Sequence, residues 1–147
     1  ARRKRCCASA AFGASAAAAP LERPLRLRGP VVSGFGRGSR EMAVPTANVD
    51  PGAPGVAPAL EGLPLGVYYG FARLARETSA PPHAMVMNVG NRPTFADGAG
   101  LSVELHLLHE YEQDFYGEEM VAIVCGSVRA EQKFDSLDAL VAQIRQD

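Results

Sequence analysis

The 147 residues contain no tryptophan and only three cysteines. Cys6 and Cys7 are adjacent and Cys125 stands alone in an apolar run, so no disulfide framework can be built. Cys125 reads as a small buried hydrophobe, and the compartment as a reducing one. No apolar run approaches the roughly 20 residues of a membrane-spanning helix, which excludes that class. Histidine is equally scarce. His106 and His109, at odd spacing, fall on opposite faces of an extended strand, and no second ligand pair stands at metal spacing, which argues against a zinc site.

Acid is nearly missing from the first 28 residues. They hold seven of the fifteen basic side chains and only Glu22 of the sixteen acids. The remainder therefore carries eight basic against fifteen acidic side chains, a net of −7. An acidic domain without tryptophan is a poor platform for nucleic acid, which wants a basic patch and stacking rings. Residues 1–24 read as a low-complexity basic and alanine-rich leader: either a mitochondrial or plastid transit segment, or compositional bias. The compartment is then an organelle in the first case and the cytoplasm in the second. Residues 25–147 are one domain's worth of chain, with an ordinary hydrophobic share of 47%.

What is present is strand-like. Leu25 and Leu27 alternate with Arg26 and Arg28 ahead of Val31 and Val32, predicting a first strand. Further strands are predicted over 66–74, 84–89, 101–109 and 120–128, and residues 50–64, rich in Pro, Gly and Ala without periodicity, read as a loop. Asp97, Gly98 and Gly100 read as a hairpin turn. Leu137, Leu140, Val141 and Ile144 recur at helical spacing behind a cap at Asp135 or Ser136. About six strands and one helix leave no room for βαβ units, so the fold is all-β, a small antiparallel barrel or sandwich.

The chemistry concentrates in Gly34 to Asn48, GFGRGSREMAVPTAN. Gly34, Gly36 and Gly38 allow a backbone nest for an anion, with Arg37 and Arg40 adding charge; the same composition also makes a surface turn. Thr46 and Asn48, two apart, share one face if extended, and offer the hard oxygen donors that Mg²⁺ prefers. Glu104 is an acid in an otherwise apolar strand: a partly desolvated base, or a solvated strand glutamate.

The run GFGRGSREMAVPTAN resembles the signature of the riboflavin kinases. GVYYGFARL (66–74), NVGNRPTF (88–95), SVELHLLH (102–109), DFYGE (114–118) and VRAEQKFDSLDALVAQI (128–144) follow in the family's order and spacing. The resemblance implies a six-stranded Greek-key barrel with a helix alongside, and transfer of the γ-phosphoryl of ATP to the terminal hydroxyl of riboflavin, giving FMN. By similarity, Gly34, Gly36, Gly38 and Arg40 hold the nucleotide phosphates. Thr46 and Asn48 hold Mg²⁺, for which Zn²⁺ or Mn²⁺ can substitute, and Glu104 is the base. Leu107, His109 and Tyr116 match the nucleotide side, and Arg129, Gln132 and Phe134 the flavin side. Ala43 replaces a customary Gly, Arg40 a Lys, and Ala130 a Pro. The family's terminal helix is longer, which implies truncation here. A monomer is expected, or the kinase half of a fusion with a second flavin-metabolising domain; a silent flavin-binding module is the alternative.

Overall fold

The computed structural model of the chain describes residues 18–33, 46–91, 100–132, 139, 142 and 143. Six strands follow in chain order: β1 (Ala19–Val32), β2 (Thr46–Val49), β3 (Gly66–Leu74), β4 (His83–Asn91), β5 (Leu101–Leu107) and β6 (Glu119–Ala130). One short helix, α1 (Ala57–Leu60), stands between β2 and β3. Every pairing is antiparallel, and the strands close into a barrel in the order β1-β2-β5-β4-β3-β6. Because β6 returns to lie beside β3 after the β3-β4-β5 series, the topology is a Greek key, and closure leaves no open sheet edge.

Period-two alternation fills the interior. Val103, Leu105 and Leu107 of β5 meet Met85, Met87 and Val89 of β4, Tyr68, Ala72 and Leu74 of β3, and Met120, Ala122 and Val124 of β6 in one buried cluster. Tyr68 buries its ring there and donates its hydroxyl to the Pro64 carbonyl at 2.5 Å. Close backbone approach also shapes the wall. A Cβ at Gly70 would lie 2.0 Å from the Ile123 carbonyl oxygen, so this β3 position admits only hydrogen.

The stretch over 50–64 is more than the connecting loop its composition suggests. Ala53, Val56 and Leu60 are buried, and Val56 lies where a side chain at Gly29 would stand, its Cγ2 2.7 Å from an ideal Cβ there. Pro58 suits the first turn of α1, where no intrahelical N–H is required. The segment closes one part of the barrel with three apolar side chains.

Several details differ from the sequence expectation, among them the ends of β4 and β6, which run over His83–Asn91 and Glu119–Ala130. β1 begins at Ala19, six residues before Leu25, because Ala19 and Pro20 pair with Ser127 and Gly126; a register shift before Leu25 interrupts the alternation that would have revealed it. β5 ends at Leu107, so His109 is not on a strand. Cys125 is half-buried in β6 beside inward Val124, at a register shift against β3, and is not part of the core cluster. Ala139, Ala142 and Gln143 are helical, as the spacing of 137–144 predicts. The rest of that helix, its cap, and the turn at Asp97 and Gly98 lie outside the described residues. Among the described residues no helix is long and apolar enough to cross a membrane.

Candidate active site

The outward face of the barrel carries the polar residues that the interior cannot hold. In β2, inward Ala47 and Val49 turn Thr46 and Asn48 outward together, as their spacing predicts. Asn48 pairs with Glu104 on β5, and Glu104 pairs on its other side with Asn88 on β4. Asn88 in turn pairs with Val67 on β3, and Val67 with Arg129 on β6. Directly opposed residues share a face, so one lateral row reads Asn48, Glu104, Asn88, Val67, Arg129. Strands lie about 4.8 Å apart, which puts Asn48 and Asn88 on either side of Glu104 and Arg129 about 14 Å away along the sheet.

Asn48, Glu104 and Asn88 are each half-buried. Among the described residues, none of their three side chains has a hydrogen-bond partner. Half-buried groups still reach water, so the three adjacent side chains keep donors and acceptors open to a ligand. Burial pushes the Glu104 carboxyl above the ordinary carboxylate range, the behaviour expected of a proton acceptor.

One row along, Thr46 pairs with His106 and His106 with Val86. His106 is only 4% exposed, and burial lowers its pKa, holding it neutral. Its Nδ1 lies 3.0 Å from Thr46 Oγ1. With the ring proton on Nε2, Nδ1 accepts the Thr46 hydroxyl proton and fixes that hydroxyl's orientation. Spacing alone only argues against His106 as a zinc ligand; the signal for its tie to Thr46 is their cross-strand pairing. Because the pKa of His106 is depressed on folding, its contribution to stability is complete above pH 6.5 and is lost as pH falls from there through the folded value. In urea titrations between pH 7.5 and 5, His106→Gln is therefore expected to lose less stability than the parent; equal losses would contradict this.

The remaining candidates divide. His109 leaves the sheet just past Leu108, whose N–H makes a 2.9 Å bond to the Ala84 carbonyl. Its ring stacks on His83 with centroids 3.7 Å apart, Tyr111 meets it edge-on at 4.8 Å, and Phe115 packs on Tyr111. Tyr111 donates to Glu77 Oε2 at 2.9 Å, and burial together with that carboxylate pushes the phenol up to about 12. The aromatic group lies at the end of the barrel where β2 begins and β5 ends. Tyr116 is 56% exposed and is no core aromatic. Leu107 points inward and is fully packed, so only its main chain can face a ligand there. Arg129 is half-buried at the far end of the row, and Gln132 is exposed just beyond it. Gly34, Gly36, Gly38, Arg40 and Phe134 lie outside the described residues.

The donors present fit a hard cation: an outward hydroxyl and an amide oxygen on adjacent outward positions of β2. Among the described residues, no three His, Cys, Asp or Glu side chains gather as a metal site.

The model of the flavokinase family, described as riboflavin kinase, matches residues 21–147. The chain belongs to the riboflavin kinase family. A riboflavin kinase from Pyricularia oryzae is 39% identical over 136 residues, covering 84% of this chain and 67% of that protein. A bifunctional riboflavin kinase/FMN phosphatase from Arabidopsis thaliana is 41% identical over 124 residues; the match covers 84% of this chain and 31% of that larger protein. Among solved structures, riboflavin kinase from Trypanosoma brucei matches with a TM-score of 0.61 at 32% identity, covering 85% of this chain and 75% of that one. The activity of the riboflavin kinase family is ATP:riboflavin 5′-phosphotransfer, with ATP and riboflavin as substrates and FMN and ADP as products.

Proposed function

We propose that riboflavin phosphorylation in this chain runs along the row from Asn48 to Arg129, with Glu104 as the base. The observation that carries this is the Glu104 carboxylate itself: half-buried, without a partner among the described residues, and one strand away from the metal-type donors of β2. Arg129 and Gln132 at the far end would receive the flavin, and the terminal ribityl hydroxyl would reach Glu104. Glu104 accepts the hydroxyl proton while the freed oxygen attacks the γ-phosphorus, the bond to the bridging oxygen breaks, and ADP leaves. Thr46 and Asn48 would hold Mg²⁺, which when bound offsets charge on the transferring phosphates. His106 fixes the Thr46 hydroxyl, and the aromatic group around His109 gives the nucleotide end an apolar wall.

Phosphoryl transfer asks the protein mainly for position and charge, so each donor has its own signature. The purified chain is expected to form FMN from riboflavin and Mg-ATP. Asn48→Ala is expected to raise the Mg²⁺ concentration for half-maximal rate by about tenfold or more, while riboflavin still quenches on binding. An unchanged Mg²⁺ requirement would take Asn48 out of the metal site. Riboflavin binding with no FMN formed under any metal would instead identify a silent flavin-binding module.

A further inference from the structure

Asn88 stands directly across from Glu104, on the side away from Asn48. It is half-buried and its amide lacks a hydrogen-bond partner among the described residues. The strand around it adds a second observation. Gly90, the next outward position on β4, is a notch: an ideal Cβ there would be 2.6 Å from Glu131 Oε1 and 3.4 Å from Asn88 Nδ2. The Glu131 carboxylate therefore rests on the sheet beside the amide of Asn88. Asn88 Nδ2 is the amide atom that approaches Gly90 and that carboxylate, which leaves Oδ1 as the acceptor for a ligand.

An acceptor one strand over from the base, on the flavin side of it, suits a substrate that carries several hydroxyls in line. We propose that Asn88 is a specificity-determining residue that accepts a hydrogen bond from a ribityl hydroxyl other than the one phosphorylated, and that Glu131 seated over Gly90 sets the amide for it. The inference rests on Glu104 being the base. Asn88 discriminates for a polyol chain, since an analogue without the paired hydroxyl leaves the amide oxygen unsatisfied.

The test compares riboflavin with flavins lacking the 2′, 3′ or 4′ hydroxyl, each assayed on the parent and on Asn88→Ala for kcat/KM. Asn88→Ala is expected to lose about tenfold on riboflavin, the worth of one such bond. One of the three analogues is expected to lose a similar factor on the parent and nothing further on the variant. Equal loss by the variant on riboflavin and on all three analogues would make Asn88 structural and overturn the proposal, as would no loss at all. Asn88→Ser, which keeps a hydroxyl acceptor, is expected to recover part of the rate and repeats the same comparison if the alanine variant does not fold. The Glu104 assignment fails separately: a fully active Glu104→Gln enzyme would remove the base and leave the hydroxyl coupling readable.

Discussion

Glu104→Gln is expected to lower FMN formation by about a hundredfold to ten-thousandfold while leaving riboflavin binding close to that of the parent. The amide has nearly the shape of the carboxylate and cannot take the proton. Parent activity is expected to fall as pH drops through the raised pKa of Glu104, and the variant's residual rate to lack that limb. The same substitution carries a stability signature of opposite sign. Folding raises the Glu104 pKa, so the folded state binds the extra proton and stability falls as pH rises through that window. At pH 8 the ionised carboxylate is the destabilising form, and Glu104→Gln is expected to resist urea better than the parent, with the difference vanishing towards pH 4. A variant that loses activity and also loses stability at pH 8 would point to a structural glutamate. Retained FMN formation would end its assignment as the base.

Gly70→Ala is expected to destabilise the barrel by about 3 kcal/mol or more, read from the urea midpoint. The new methyl would lie 2.0 Å from the Ile123 carbonyl oxygen and 3.0 Å from Met85 Cε. Met85 can yield, because its side chain is flexible. The carbonyl cannot, because it belongs to the β6 backbone facing β3 beside a register shift. Gly52→Ala is the control: its nearest atom, Asp50 Oδ1, is at an ordinary 3.4 Å, and a change within about 0.5 kcal/mol is expected. Equal effects at the two sites would show that loss of glycine entropy, and not the close approach of β3 to β6, governs both.

Much of this was legible in the chain. The strand at Gly66–Leu74 stands at its predicted limits, since β-branched and aromatic residues fill it and turn residues bound it. Glu104 was visible as an acid among apolar neighbours, and Thr46 and Asn48 as oxygen donors two apart. The row that joins them was not, because cross-strand neighbours depend on register and nothing local places Asn88 opposite Glu104. The capping role of Ala53, Val56 and Leu60 was hidden by a Pro- and Gly-rich composition that also describes loops. His106 was weighed only for metal binding, and its link to Thr46 spans sixty residues. The start of β1 was obscured by Glu22, Arg23 and Pro24, which break the alternation where the register shifts.

The pairing of β1 with β6 has a consequence during synthesis. Ala19 waits for Ser127 and Arg28 for Val121, so the first strand made has no partner on its β6 side until nearly all of the described chain has emerged. β3, β4 and β5 can pair among themselves earlier, as sequential antiparallel neighbours. Strand β2 also pairs with β5, so the joint between the first and last strands, the most distant in sequence, is expected to form last. On a ribosome, protection of the β1 amides from Leu25 to Pro30 is expected to develop only once β6 has emerged, read by hydrogen exchange on stalled chains.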